Sequence, residues 1–208
     1  MTTAGRPSIA SVTVMVLMLA WTCAAAGAHA GDSAMDAAVQ PNDRVSIERL
    51  TPLRKGGQGY RLVYRVGVPA GVYWKFKTDF DNTFLVENKF ISEHRLVSRN
   101  GSIVVTENRY AHGPDVYYRW QTTVFPDLYR LDFHLLNADE CHQDYHFGTI
   151  TVTPHMGGTL VTQVVYFDFW GASLWAIYPW HGGMKDFLTY TARWEQATAL
   201  RLKDRYHD

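Results

Sequence analysis

Two hydrophobic spacings divide the chain into a short helix, a long run of strands and a terminal helix. From residue 88 to residue 169, apolar residues recur at every second position, and turn segments interrupt the pattern at intervals of about ten residues. Helical spacing of three and four residues appears over Val68 to Asn82 and again over Met184 to Tyr206. This order predicts an α+β protein in which one long helix covers the apolar face of an antiparallel sheet.

Alternating polar and apolar positions predict the individual strands. The hairpin signal Asn100-Gly101 joins two of them, because a type I′ turn requires positive φ at both central residues. Two strands are expected before the first helix, and the others follow it as a meander. The predicted strands cover Arg44 to Leu50, Tyr60 to Val66, Phe90 to Val97, Ile103 to Ala111, Val116 to Phe125, Tyr129 to Leu135, Asp144 to Thr153 and Leu160 to Phe169.

The terminal helix is predicted to lie across the sheet. About twenty residues span about 30 Å in a helix, which is enough to cross a whole sheet. Charged side chains such as Lys185, Arg193 and Arg201 are expected on its solvent side. Its buried stripe is predicted to contain Phe187, Tyr190, Thr191, Trp194, Ala197 and Thr198.

The N-terminal segment has the composition of an export signal. Arg6 precedes an apolar run from Ile9 to Ala20, and Ala28-His29-Ala30 has the small-x-small form of a secretory cleavage site. The alternative is an uncleaved anchor, although the apolar run is shorter than the about twenty residues of a membrane span. The predicted division is a signal peptide at 1–30 cleaved after Ala30, a disordered leader at 31–42 and a periplasmic folded domain at 43–208.

Composition narrows the function of the exported chain. The sequence has 20 Lys and Arg against 20 Asp and Glu, and loss of Arg6 with the signal peptide leaves 19 against 20, a net charge of −1. That balance provides no basic face for nucleic acid. Cys23 would leave with the signal peptide, so Cys141 would have no intrachain disulfide partner. The sequence contains no phosphate loop, nucleophile elbow or metalloprotease motif, and we predict no cofactor.

A motif in the first predicted helix resembles the opening of a known superfamily. The turn Val68-Pro69-Ala70 is followed by Trp74, Phe76, Asp79 and Phe80 at the spacing found in START-like helix-grip domains. This group, the SRPBCC superfamily, includes the polyketide cyclase/dehydrase and lipid-transport family. The resemblance extends over about residues 44 to 206. It implies an antiparallel sheet of about seven strands that wraps around the last helix and leaves a hydrophobic cavity between them.

The resemblance does not imply one chemistry, because this fold serves carriers, cyclases, hormone receptors and chaperone activators. The chain also departs from the superfamily pattern. Only Gly71, Val72 and Tyr73 separate the Val68-Pro69-Ala70 turn from Trp74, which is fewer residues than usual. The first helix is therefore expected to be shorter by about one turn, which alters the end wall of the cavity.

Aromatic residues on the apolar faces of the predicted elements indicate a site for a hydrophobic ligand. Ligand sites are concave and mostly apolar, with few polar groups. The protein would then be a carrier of a hydrophobic small molecule or lipid. The alternative is a solid core in an interaction module without a ligand. The predicted ligand-binding residues are Tyr118, Trp120, Leu131, Phe133, Phe167, Phe187, Tyr190 and Trp194.

The segment between the last predicted strand and the terminal helix is apolar for a connecting loop. Trp170 to His181 contains three tryptophans and one tyrosine. Trp175, Tyr178 and Trp180 are predicted to form a gate over the cavity mouth that contacts a membrane transiently, because Trp and Tyr favour the membrane interface. The alternative is a short buried helix packed on the rim of the sheet.

One polar segment has the residue types of a metal site. Cys141, His142, Asp144 and His146 lie close together in the sequence, and the last three would share one face of a strand. However, zinc requires three or four convergent ligands, and this segment lies at a predicted hairpin, where polar residues are expected. We therefore predict no metal.

Acid–base catalysis is the alternative to a carrier function. The resemblance to cyclases and dehydratases implies polar side chains in the cavity, and such residues require reach to the substrate. The candidates are Arg119, His134, Tyr166 and Asp168. Strand alternation places Arg119 and His134 on the polar outer face, so the carrier is the preferred prediction.

Overall fold

The helices and strands follow the predicted order. A computed structural model of the protein describes residues 44–54, 57–111, 115–168 and 183–207. Short 3₁₀ helices lie at Leu85–Glu87, Pro126–Leu128 and Lys203–Arg205. The main elements are β1 (Ser46–Leu50), β2 (Gln58–Val66), α1 (Ala70–Thr78), β3 (Ile91–Asn100), β4 (Ile103–Tyr110), β5 (Tyr117–Phe125), β6 (Arg130–Leu135), β7 (His146–His155), β8 (Gly158–Phe167) and α2 (Gly183–Arg201).

The strands form one antiparallel sheet of eight strands in the order β1-β2-β8-β7-β6-β5-β4-β3. Strand β8 pairs with β2 along its whole length, which joins the first hairpin to the end of the meander. The turn between β3 and β4 has Gly101 at φ 57°, as the Asn100-Gly101 signal predicts. These observations confirm the α+β fold with a long C-terminal helix. The sheet has one strand more than the resemblance implies.

The core lies between the sheet and the two helices. On β2, Tyr60, Leu62, Tyr64 and Val66 are all buried, as expected for alternate residues on one face. Helix α1 begins after Pro69, whose φ of −56° fits the start of a helix. Because α1 ends at Thr78, the predicted helix to Asn82 is too long by one turn. The chain is therefore irregular where it passes the edge of the sheet.

The buried side of α2 differs from the predicted stripe. Leu188, Trp194 and Thr198 are buried, but Ala197 is exposed, so the prediction for Ala197 was wrong. Nine residues separate Ala197 from Leu188, which at 3.6 residues per turn places them about 2.5 turns apart and on opposite sides. Glu195, which was not predicted to be buried, is only 7% exposed. The helix therefore brings a carboxylate to the core face.

The helices described in residues 44–54, 57–111, 115–168 and 183–207 include none long and apolar enough to cross a membrane.

Candidate functional site

A cavity of about 320 Å³ lies where the sheet and α2 diverge. Its wall is built by α1 and the segment after it, by strands β3 to β8 and by α2. The apolar part of the wall consists of Phe76, Phe80, Phe84, Leu85, Ile91, Trp120, Leu131, Phe133, Ile150, Phe187 and Trp194. These apolar side chains are suited to an apolar molecule, because they offer many dispersion contacts, and polar side chains complete the wall.

The structure brings five of the eight predicted ligand-binding residues to this wall. These five are supplied by β5, β6 and α2, on opposite sides of the cavity. The ring centroids of Trp120 and Phe133 are 5.8 Å apart, so neighbouring strands form one aromatic surface. Their part in ligand binding stays a prediction. The five residues are Trp120, Leu131, Phe133, Phe187 and Trp194.

The other three predicted residues lie away from the described wall. Tyr118 packs against Tyr110 at 4.7 Å in a small second cluster beyond the end of the cavity. Phe167 stacks on Tyr60 at 5.9 Å in the main core. Tyr190 contacts the ring of Phe90 at 5.1 Å, and Phe90 also contacts Phe187 at 5.0 Å. Periodicity in the sequence predicts the face of the strand or helix on which each of these residues lies, but not its position along that face.

A buried carboxylate forms the polar end of the cavity. Glu195 accepts a hydrogen bond from Tyr64 at 2.9 Å and another from Tyr73, both on Oε1. Its Oε2 accepts from Lys77 Nζ at 2.6 Å. Glu195 and Lys77 both line the cavity. A buried charge needs such partners, because an isolated carboxylate loses several kcal/mol of solvation in the interior.

The two tyrosines fix the charge distribution of this cluster. Burial and the adjacent carboxylate of Glu195 raise the pKa values of Tyr64 and Tyr73 well above the usual value. Both hydroxyls therefore remain protonated donors at neutral pH. Because the two tyrosine hydroxyls both donate to Oε1 of Glu195, Lys77 is the partner of Glu195 that can also reach a molecule in the cavity. We name these four residues, Tyr64, Tyr73, Lys77 and Glu195, the polar cluster.

Further polar side chains on the wall are bonded within the protein. His94 lies between Asn108 Oδ1 at 2.6 Å and the carbonyl oxygen of Phe80 at 3.0 Å, and ties the segment after α1 to the sheet. Thr191 differs from them. Its buried hydroxyl oxygen has no hydrogen-bond partner, and the residue lines the cavity. An unsatisfied buried hydroxyl costs about 1–3 kcal/mol.

A neutral histidine lies on the opposite side of the cavity. His146 contacts the rings of Trp120 at 4.7 Å and Phe167 at 5.3 Å. Its Nδ1 is 3.1 Å from Gln143 Oε1. Burial lowers the pKa of His146 to about 3. His146 forms part of the cavity wall. The imidazole is therefore uncharged at neutral pH.

His146 should make the protein less stable in acid. Below about pH 6.5 the unfolded chain protonates this histidine but the folded protein does not, so the free energy of unfolding falls by at most about 1.4 kcal/mol per pH unit. The effect is absent above pH 7. We expect His146→Phe to reduce the slope of unfolding free energy against pH between pH 6.5 and 4.5, measured by urea denaturation. Identical slopes for the two proteins would contradict the assignment.

The predicted acid–base candidates lie away from the described cavity wall. Arg119 donates to Glu107 at 2.8 Å on the outer face of the sheet. His134 is exposed, as alternation predicts. Tyr166 stacks on Phe147 at 5.7 Å. Asp168 is buried at the end of β8 and outside the cavity wall. The polar residues of the cavity come instead from α1 and the segment after it, from β3, β4, β5, β7 and β8, and from α2.

The candidate metal residues do not converge. His142 and Asp144 are exposed in the turn before β7, whereas Cys141 is buried. Burial and the nearby carboxylates of Glu140 and Asp139 raise the pKa of Cys141 to about 12, so its thiol stays protonated. Within the residues that the structure describes, no group of three or more His, Cys, Asp or Glu could hold a metal ion.

The predicted gate cannot be compared with the structure. Trp175, Tyr178 and Trp180 lie outside the described residues, as do residues 1–42, for which a signal peptide and a leader are predicted.

Helical periodicity contained a signal for the polar cluster. Glu195 follows Thr191 by four residues and precedes Thr198 by three, so it belongs to the same face of α2. Lys77 follows Tyr73 by four residues on α1. An acid on one buried stripe and a base on the other indicate a pair, because a lone buried charge is costly. Periodicity does not predict that the buried stripes of α1 and α2 face each other.

Comparisons with known proteins reveal similarity in structure but not in sequence. No family model and no curated protein matches the chain. The crystal structure of TTHA0849 from Thermus thermophilus has a TM-score of 0.53 at 15% identity, covering 71% of this chain and 96% of that chain. The crystal structure of Ara h 8.0201 has a TM-score of 0.50 at 16% identity, covering 70% and 99%.

A third structure is more distant. The di-domain ARO/CYC BexL from the BE-7585A biosynthetic pathway covers 75% of this chain and 52% of its own, at 15% identity and a TM-score of 0.49. At such identities structural similarity establishes a fold and leaves the activity open. The eight antiparallel strands and the terminal helix agree with the similarity to the first two structures. The chain has the START-like, Bet v 1-like helix-grip fold that its Trp74 to Phe80 motif predicts.

Proposed function

We propose that this protein binds a hydrophobic small molecule or lipid in the cavity between the sheet and α2. The observation that supports this proposal is the wall itself, which combines eleven aromatic and aliphatic side chains with polar side chains from both helices and from the sheet. Transfer of a ligand from water to such a wall contributes about 25 cal/mol per Å² of apolar area. The protein would therefore sequester a poorly soluble molecule.

The cavity size limits the ligand. About 320 Å³ lies at the lower end of the range of about 300–1,000 Å³ that is typical of small-molecule pockets. A long lipid would therefore extend through the cavity mouth.

Export and membrane transfer complete the proposed carrier function. The N-terminal residues 1–30 have the features of a secretory signal, which supports a periplasmic site of action. Trp175, Tyr178 and Trp180 are suited by composition to a transient contact with a bilayer, where the ligand would enter or leave.

A cavity-filling variant tests ligand binding. We expect 2-isopropylnaphthalene, an uncharged fluorescent probe, to bind the wild-type protein. Thr122→Trp should raise the dissociation constant at least about tenfold, which is a loss of about 1.4 kcal/mol of binding free energy. Thr122 lies on the cavity wall. The measurement is a fluorescence titration, and native mass spectrometry of the purified protein would identify a retained natural ligand.

Thr123→Trp provides the matched control, because adjacent residues of β5 point to opposite faces of the sheet. Its affinity should equal that of the wild type. Absence of binding to the wild-type protein, or equal affinity in both variants, would count against the proposed cavity.

An acid–base enzyme is the second candidate function. The favouring observation is that the cavity contains both the polar cluster and the neutral His146, which is a possible proton acceptor. Such an enzyme would remove a proton next to a ligand carbonyl group. Exchange of the methyl protons of 2-acetylnaphthalene for deuterium, followed by NMR with wild type and His146→Phe, distinguishes this activity from binding alone.

A further inference from the structure

The polar cluster leaves one group able to contact a ligand. Three donors, from Tyr64, Tyr73 and Lys77, satisfy the carboxylate of Glu195. The Lys77 ammonium has three N–H donors, and its bond to Glu195 uses one of them. The side chain of Lys77 is 19% exposed and lines the cavity. Lys77 can therefore donate a hydrogen bond to a bound molecule while Glu195 holds it in place.

The charges around the cavity oppose an anionic ligand. Among the described residues of the wall, Lys77 is the only Lys or Arg, and its charge is balanced by Glu195. Asp79, another wall residue, adds a second carboxylate. Tyr206 donates to Asp79 at 2.6 Å, and the guanidinium of Arg205, whose side chain is exposed, is 3.5 Å from the same carboxylate. A carboxylate ligand would therefore be buried in the cavity without a cation that balances its charge.

A neutral oxygen acceptor avoids that cost. Burying an ion without a full partner costs several kcal/mol, whereas a carbonyl oxygen gains a charge-assisted hydrogen bond from Lys77 without bringing a charge. Thr191 also lines the cavity and lies one turn before Glu195 on the same helix. These positions suit a ligand with one polar end and an apolar body.

We propose that the cavity selects uncharged ligands bearing a carbonyl or similar oxygen acceptor, which Lys77 recognises while Glu195 excludes ligand carboxylates. This selectivity rests on the proposed binding function and adds the chemical class of the ligand to it. Glu195 is a positioning residue, since it orients and neutralises Lys77. Lys77 is the residue that contacts the ligand oxygen.

Three isosteric probes test this selectivity. The probes 2-acetylnaphthalene, 2-naphthoate and 2-isopropylnaphthalene share the same ring and the same number of non-hydrogen atoms, but present a neutral acceptor, an anionic acceptor and no acceptor. At pH 7.5 the wild-type protein should bind the ketone about tenfold more tightly than the hydrocarbon, which is about 1.4 kcal/mol. The carboxylate should bind more weakly than either, as measured by calorimetric titration.

Two variants separate the contributions of the pair. Lys77→Met should abolish the preference for the ketone over the hydrocarbon. Glu195→Gln leaves Lys77 with an unbalanced charge, so it should raise the affinity for 2-naphthoate by about tenfold or more. Lys75→Met is the control, because Lys75 is an exposed lysine of the same helix and is not part of this cavity wall.

The outcomes distinguish this inference from the proposed function. Binding of the hydrocarbon with equal or tighter binding of 2-naphthoate would overturn the selectivity but leave the hydrophobic cavity supported. Failure of all three probes to bind would count against the binding function itself. If Glu195→Gln does not fold by circular dichroism, the Lys77→Met comparison still decides whether Lys77 recognises the ketone.

Discussion

Replacement of Glu195 by alanine should lower the free energy of unfolding by about 3–5 kcal/mol, because it breaks a buried ion pair from one side. Lys77 would lose its carboxylate partner, and the hydroxyls of Tyr64 and Tyr73 would lose their shared acceptor. Each buried donor without a partner adds to the cost. Urea denaturation followed by circular dichroism measures the change. A loss below about 1 kcal/mol would show that the cluster contributes little to stability.

Two further variants show whether burial causes this loss. Glu87→Ala removes a carboxylate whose partner is Arg201, in a pair that is about half exposed on both sides. Surface pairs of this kind contribute little, so its stability should be close to that of the wild type. The double variant Glu195→Leu with Lys77→Met removes both buried charges together. It should be more stable than Glu195→Ala, since no charge is left unpaired.

Gly148→Ala should destabilise the protein by about 3 kcal/mol or more, because the added methyl group has no space and its neighbours include backbone. A Cβ at this position would lie 2.2 Å from the carbonyl oxygen of Val164 and 2.6 Å from Cζ of Phe133. Gly148 pairs with Phe133 of β6 and with Val165 of β8, in the middle of the sheet. Relief of the clash requires movement of a strand.

The thermal midpoint of Gly148→Ala should fall accordingly, and the probe 2-isopropylnaphthalene should bind more weakly because Phe133 belongs to the cavity wall. Gly71→Ala is the control. A Cβ at Gly71 meets no atom within 4 Å, and the residue lies in α1. Alanine in a helix is favoured over glycine by about 0.5–1 kcal/mol, so this variant should be as stable as the wild type or more stable. Equal midpoints for both variants would contradict the clash.

Local patterns were sufficient to predict the fold. Strict alternation from Phe90 onward and the Asn100-Gly101 turn signal gave the meander, because side chains on alternate residues must face opposite sides of a sheet. Several errors lie at the ends of elements. Strand β7 begins at His146 rather than Asp144, since the preceding residues form a turn with His142 at φ 55°. The backbone of these residues is not in the extended conformation that the alternation of side chains requires.

The site was less predictable, because it depends on which faces meet. Periodicity placed Tyr118 and Trp120 on one face of β5, but only the three-dimensional arrangement shows that Trp120 reaches the cavity and Tyr118 lies beyond it. The polar cluster joins three elements that are distant in sequence. The predicted catalytic candidates are polar residues of single strands, and they therefore do not include Lys77 and Glu195.

The separation of the polar cluster along the chain has a consequence for biosynthesis. Glu195 lies 118 to 131 residues after its three partners. At about 5–20 residues per second, a ribosome needs about 6–24 s to add the 118 residues between Lys77 and Glu195. Until then, the apolar face of the growing sheet has no covering helix. The nascent chain should therefore depend on a chaperone or remain unfolded until this helix is made.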